Sequence, residues 1–168
     1  MRPHPLRPQG FFLIAALVLA AVWAYSPNRA RPLVIDGDTL MVNDAHIRLH
    51  GIDAPEREQV CFGSDASPYF CGRMAAARLR QEIEGARLDC HALYRDIYRR
   101  QVATCTAGDR DLSDAMVRAG WALDVPFYSG GKYLDAENEA RAARRGLWAG
   151  GFEAPRHWRR KHPQRIGP

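Results

Sequence analysis

The segment from Leu33 to Glu56 limits what this chain can fold into more than any other. Leu33-Val34-Ile35 and Thr39-Leu40-Met41-Val42 are short strand-forming runs, and Ile47 and Leu49 alternate with Arg48 and His50. Asp36-Gly37-Asp38 separates the first two runs with a glycine that permits a bend or bulge. Asn43-Asp44 is a turn pair. Asp53-Ala54-Pro55-Glu56 ends the third strand, because proline cannot donate to a ladder. The pattern predicts three short, tightly connected strands with carboxylates at their ends.

Downstream, Ser67-Pro68 predicts a helix start, and Cys71, Ala75, Leu79 and Ile83 fall on one face before Gly85 ends it. Arg87 to Leu93 and Gln101 to Thr106 read as a hairpin around Asp96-Ile97-Tyr98-Arg99. Asp111 caps a second helix that Gly120 stops. A third helix is expected over roughly Tyr133 to Gly146, with Tyr133, Ala136, Ala140, Ala143 and Leu147 as its inner stripe. Residues 148–168 show no clear periodicity. Three strands, a helix, two strands and two helices fit a mainly β fold with α, a five-stranded closed antiparallel barrel with three helices; closure removes the exposed edges of so small a sheet.

The 168 residues suit one domain, 29–150, plus appendages. Arg2 and Arg7 precede the uncharged run Phe11 to Tyr25, which reads as an export signal or an N-terminal membrane anchor over 1–25. The domain is therefore expected outside the cytoplasm, either free or anchored through that segment. The formal charge of +5 is concentrated at the two ends. Arg156, Arg159, Arg160, Lys161 and Arg165 face only Glu153 in the basic, aromatic tail 151–168, so bulk charge does not make the central domain a nucleic-acid binder. The tail suits a polyanion or an anionic membrane surface.

Four cysteines in an exported chain predict disulfides. Cys90 and Cys105 flank the charged turn symmetrically, which sets them opposite each other if the hairpin is regular. Cys61–Cys71 is the remaining pair. No CxxC pair is present, which argues against zinc.

The acidic segment predicts chemistry. Asp38 and Asp53 are candidate ligands for a hard cation such as Ca2+, with the Ala54 backbone carbonyl as a further donor and Asp36 in an outer role; ligand type alone also admits Mg2+ or Mn2+, which come second to Ca2+. Glu56, across a proline turn from Asp53, is the candidate general base. Arg48 and Arg100 are candidate clamps for phosphate oxygens, most valuable as charge grows in the transition state.

These segments resemble the staphylococcal nuclease (thermonuclease) family. The resemblance rests on IDGDT followed by IRLHGIDAPE, on Asp96-Ile97-Tyr98-Arg99-Arg100, on Asp111 to Ala122 and on Ala140 to Trp148, and spans roughly residues 29–150. It implies an OB-type barrel with three helices, Ca2+ on Asp38, Asp53 and the Ala54 carbonyl, Glu56 as base, and Arg48 and Arg100 on the phosphate. It also implies cleavage of single-stranded DNA and RNA to 3′-phosphate and 5′-hydroxyl ends. There are departures. Arg99 replaces the usual glycine, and Ile97 stands where a lysine is expected. Tyr98 and Tyr128 are kept as substrate contacts with Arg99 beside them, while Val125-Pro126 falls where a second stacking tyrosine belongs. A weaker or differently selective nuclease is expected, with no obligate protein partner. The competing reading is a non-catalytic OB-type module that binds oligonucleotide or exopolysaccharide at the cell envelope.

Overall fold

The computed structural model describes residues 32–163. The expected signal or anchor, 1–25, lies outside the described residues, as do 164–168 of the tail. Among the described residues no helix is long and apolar enough to cross a membrane.

Strand β1 (Leu33–Val34) pairs antiparallel with β2 (Thr39–Val42), and β2 with β3 (Ala45–Leu49). Asn43 and Asp44 join the latter two with φ of 47° and 62°, the doubly left-handed turn whose twist suits a two-residue hairpin. Gly51, at φ 80°, then turns the chain out of this sheet, so β4 (Ile52–Asp53) pairs instead with β10 (Leu123–Asp124). Strands β5 (Val60–Phe62) and β6 (Pro68–Phe70) form a second small ladder. The hairpin of β7 (Leu88–Arg95) and β8 (Gln101–Ala107) joins the main sheet through a parallel pairing of β8 with β3, and β9 (Arg110–Asp111) adds to β8.

The resulting path, β1-β2-β3-β8-β7, corrects the expectation of a closed antiparallel barrel. It is an open, mixed sheet: β1 and β7 are not paired with each other among the described residues, and the β3–β8 pairing is parallel. The helix count is corrected as well. Five α-helices are described rather than three: α1 (Cys71–Ile83), α2 (Leu112–Arg118), α3 (Pro126–Ser129), α4 (Leu134–Ala142) and α5 (Pro155–Lys161), with a 3-10 turn at Gly146–Ala149. The expected third helix divides because Arg144 and Gly146 both take positive φ, which ends α4 early. Ser67-Pro68 does not open α1. Asp65 holds Ser67 through its backbone N–H and hydroxyl, and Pro68 enters β6 opposite Phe62, so the helix begins three residues later.

The core lies between the main sheet and α1, α2 and α4. Leu40, Leu49, Leu79, Leu112, Met116 and Tyr133 are almost fully buried in it. Asp111 caps α2 by accepting from the N–H groups of Ser113 and Asp114, and takes a hydrogen bond from the Tyr133 hydroxyl at the start of α4. Both disulfides form as expected. Cys90 and Cys105 are direct partners across the β7–β8 ladder, and Cys61–Cys71 ties β5 to the first residue of α1.

Two glycines bring the acidic loops against α1. A Cβ on Gly37 would lie 2.7 Å from the Cβ atoms of both Ala54 and Ala75, so only glycine lets the Asp36–Asp38 bend rest there. A Cβ on Gly72 would come within 1.8 Å of the Glu56 carbonyl oxygen, so the first turn of α1 is the floor under Glu56. The residues expected as a tail include α5, and its approach is fixed. Phe62 and Gly151 exchange backbone hydrogen bonds, the Gln59 side-chain amide donates to the Glu153 carbonyl at 2.7 Å, and Pro155 and Trp158 are buried. Pro155 sits at the helix start, where its missing N–H costs nothing.

Candidate functional site

The β2–β3 register sets Thr39 opposite Arg48 and so brings the Arg48 guanidinium to the end of the Asp36–Asp38 bend. Its Nη1 donates to Asp38 Oδ1 at 2.7 Å and its Nη2 to Asp53 Oδ1 at 3.0 Å. Asp38 is 1% exposed, and its oxygens also accept from the Thr39 hydroxyl and the Ala54 backbone N–H. Asp36 Oδ1 accepts from the Asp38 N–H at 3.0 Å, which closes the bend. Asp53, on β4, is held over this cluster by its pairing with Leu123. Glu56 follows the Pro55 turn and is reached from α5: Arg159 Nη1 donates to Glu56 Oε1 at 2.9 Å, and Arg159 Nη2 donates to both oxygens of Asp53 at 2.8 and 3.0 Å.

Three carboxylates thus pair with two guanidiniums, and Asp36 lies beside them without one; Asp38 and Asp53 are buried, Asp36 and Glu56 half-buried. Burial and the adjacent Asp38 charge push the Asp36 carboxyl up to about 8. Burial also raises Asp53, with Asp38 adding to the rise and Arg159 and Arg48 opposing it. Glu56 is raised by burial against the Arg159 hydrogen bond. Burial works against the Arg48 and Arg159 cations, but the carboxylates outweigh it and hold both above their ordinary values.

The second charged segment forms another part of the same groove, a volume of about 1570 Å3. Asp96 organises the β7–β8 turn by accepting from the N–H groups of Tyr98 and Arg100, and the Arg100 guanidinium donates back to Asp96 at 2.8 Å. Arg99 takes φ of 64°, the conformation that glycine adopts most freely. Tyr98 and Tyr128 line the groove with their rings 69% and 56% exposed, and the Arg100 guanidinium lies 5.4 Å from the Tyr98 ring centre. The structure therefore gathers Asp36, Asp38, Arg48, Asp53, Ala54 and Glu56 into one cluster. Arg99, Arg100, Tyr98 and Tyr128 stand along the groove beside it, with Arg100 bound to Asp96 rather than to the cluster.

Two groove residues escaped the sequence reading, and a third, Arg159, was read only as part of a basic tail suited to a polyanion. Phe127 is 87% exposed, packs edge-on to Tyr128 at 5.0 Å, and follows the Val125-Pro126 pair where a stacking residue was judged missing. Tyr94 is carried in by β7. Arg159 had a signal: Pro155 and Trp158 beside a basic run mark a short helix start and its buried anchor, but seven residues are too few for periodicity to reveal it.

The donor set matches a hard divalent cation. Every candidate is an oxygen, and Asp36, Asp53 and Glu56 are raised first by burial and then by the neighbouring Asp38 charge, which such an ion would offset. The match is a loose one, since no group of three or more His, Cys, Asp or Glu is arranged to hold an ion among the described residues. Asp38 and Asp53 are the two that share a common partner. Ala54 meets the cluster through its N–H, which donates to Asp38.

A family model described as "Staphylococcal nuclease homologue" matches residues 46–150. The chain is 31% identical to "Succinoglycan biosynthesis protein ExoI" of Rhizobium meliloti over 142 residues, covering 80% of this chain and 74% of that protein. It is 35% identical to "Probable endonuclease LCL3" of Schizophyllum commune over 71% of this chain and 46% of that one. Against "Probable endonuclease lcl3" of Botryotinia fuckeliana it is 31% identical over 83% of this chain and 56% of the other. The chain spans about half the length of these endonuclease-named relatives.

Proposed function

The chain belongs to the staphylococcal nuclease homologue family, and from that premise we propose that it is a nuclease hydrolysing single-stranded DNA and RNA. The observation that carries the reading is the cluster in which one guanidinium, Arg48, spans Asp38 and Asp53 with Glu56 alongside, at the floor of a groove rimmed by exposed aromatic rings. A solvated acidic turn would not bury Asp38 and Asp53 with Asp36 and Glu56 half-buried beside them; a site for a phosphodiester and its counter-ion would.

In this reading Asp38 and Asp53 would hold Ca2+, with the Ala54 carbonyl as a further donor and Asp36 behind them, and the bound ion would supply charge neutralisation for the phosphodiester. Glu56 orients a water and accepts its proton as the water oxygen bonds to phosphorus. Its raised pKa makes it a stronger base than an ordinary glutamate. Arg48 and Arg100 donate to the phosphoryl oxygens as charge builds there. The phosphorus–5′-oxygen bond breaks and the departing 5′-oxygen takes a proton from solvent, leaving a 3′-phosphate and a 5′-hydroxyl. Tyr98, Tyr128 and Arg99 line the path of the strand, and stacking on such rings tolerates any base. Arg99 and Ile97 make the turn differ from the family pattern, which suits altered substrate selectivity. The domain works outside the cytoplasm, where its two disulfides persist, after export by a signal or anchor at 1–25.

A second reading is favoured by one observation, the similarity to a relative named for succinoglycan biosynthesis. There the groove binds an oligonucleotide or exopolysaccharide without turnover. The test is incubation of the full chain with end-labelled single-stranded DNA in calcium, in magnesium and in chelator. Calcium-dependent shortening supports the nuclease. An intact strand with folded protein, together with binding of exopolysaccharide, supports the binding module.

A further inference from the structure

We propose that Arg159 is a third phosphate-binding arginine of this site, delivered by the C-terminal helix α5. The inference rests on the groove binding a nucleic-acid strand. It extends the site beyond residue 150, where the match to the family ends.

Arg159 stands in the same relation to the cluster as Arg48 does. The two guanidiniums share Asp53 Oδ1, at 2.8 and 3.0 Å, so both reach the same point from opposite sides in sequence. Arg100 is likewise held by a carboxylate, Asp96, outside the cluster. A guanidinium fork accepts carboxylate and phosphate oxygens with the same geometry. Asp53 and Glu56 therefore hold Arg159 pre-oriented, and a phosphate arriving at the cluster takes over the fork. The helix that carries it is not a loose tail. Trp158 is buried beside it, and the Phe62–Gly151 and Gln59–Glu153 hydrogen bonds fix the approach. One turn earlier, Arg156 lines the same groove and has no ion-pair partner among the described residues, so α5 presents two cations along the path of a polyanion. A counter-ion for buried carboxylates would need only Arg159; it would not explain Arg156 on the same face of the groove.

The test measures binding of a labelled single-stranded oligonucleotide by the full chain in chelator, where turnover is stopped, across a range of salt concentrations. Arg159→Ala should weaken binding by roughly tenfold or more and reduce the salt slope by about 0.7, the value of one lost phosphate contact. Arg159→Lys should retain the slope while losing part of the affinity, because the charge remains and the fork does not. The decisive comparison is the Asp53→Asn/Glu56→Gln background, where neither carboxylate that pairs with Arg159 remains. There Arg159→Ala must still weaken binding and flatten the slope. Unchanged affinity and slope in that background would make Arg159 a counter-ion alone and overturn the inference, while calcium-dependent cleavage by the parent chain would leave the nuclease reading standing. A parent chain that binds no oligonucleotide would overturn both. Thermal melts of each variant identify any loss that comes from unfolding, and Arg159→Gln supplies a second neutral variant.

Discussion

Asp53 accepts from two guanidiniums on elements more than a hundred residues apart, and Asp38 from one of them and a backbone N–H. This sharing sets the electrostatics of the site. Asp36, without such a partner, carries the largest consequence. Its folded pKa of about 8 lies above the ordinary 3.8, so the folded state holds the proton more tightly than the unfolded chain. The stabilisation is complete below the ordinary value and lost as pH rises through about 8. Asp36→Asn has no such loss. In chelator, urea unfolding should show the variant gaining on the parent protein between pH 5 and pH 8.5; a difference that stays constant across this range would contradict the assigned environment. At this scale much was legible in the sequence. Asp38, Arg48, Asp53 and Glu56 lie within one stretch of hairpins, and short-range strand geometry brings such residues together. Arg159 was legible as part of a basic run but not as a partner of Asp53, because no local rule connects a residue of a short C-terminal helix to one 106 positions earlier.

At the scale of elements, two close contacts decide where the acidic loops sit. Gly72 is the more demanding. Alanine there gains about 1 kcal/mol of helix propensity over glycine. Its Cβ would meet the Glu56 carbonyl at 1.8 Å, however, and backbone must move to relieve that overlap. Overpacking of this kind costs about 1–3 kcal/mol, so Gly72→Ala should lower stability on balance. It should also displace Glu56, so that cleavage falls more steeply than the melting temperature accounts for; normal cleavage by a folded variant would contradict the role of α1 as the floor of the site. The β2–β3 and β7–β8 hairpins and the α2 cap were readable because turn residues and cap residues act locally. The start of α1 was not. Ser67-Pro68 carries a good helix-start signal, but Asp65 captures Ser67 and the Cys61–Cys71 link holds Pro68 in a ladder with Phe62. The Arg144–Gly146 break that ends α4 was likewise hidden, since the apolar stripe continues to Leu147 across it.

For the whole molecule, the IDGDT and IRLHGIDAPE motifs were a sound guide to the family, and the order of strands and helices was a poor one to closure. The parallel β3–β8 pairing and the departure of β4 toward β10 depend on contacts between distant segments, which pattern alone does not supply. The site itself is assembled from both ends of the described chain, from Asp36 near the first strand to Arg159 on the last helix. The central claim is that this assembly hydrolyses phosphodiesters with Glu56 as the base. The most direct measurement is single-turnover cleavage of labelled single-stranded DNA by Glu56→Gln beside the parent chain, in saturating calcium with both proteins shown to be folded. The account predicts a loss of about 10²- to 10⁴-fold in the cleavage rate with binding of the strand retained. Cleavage by the variant at the parent rate would contradict it.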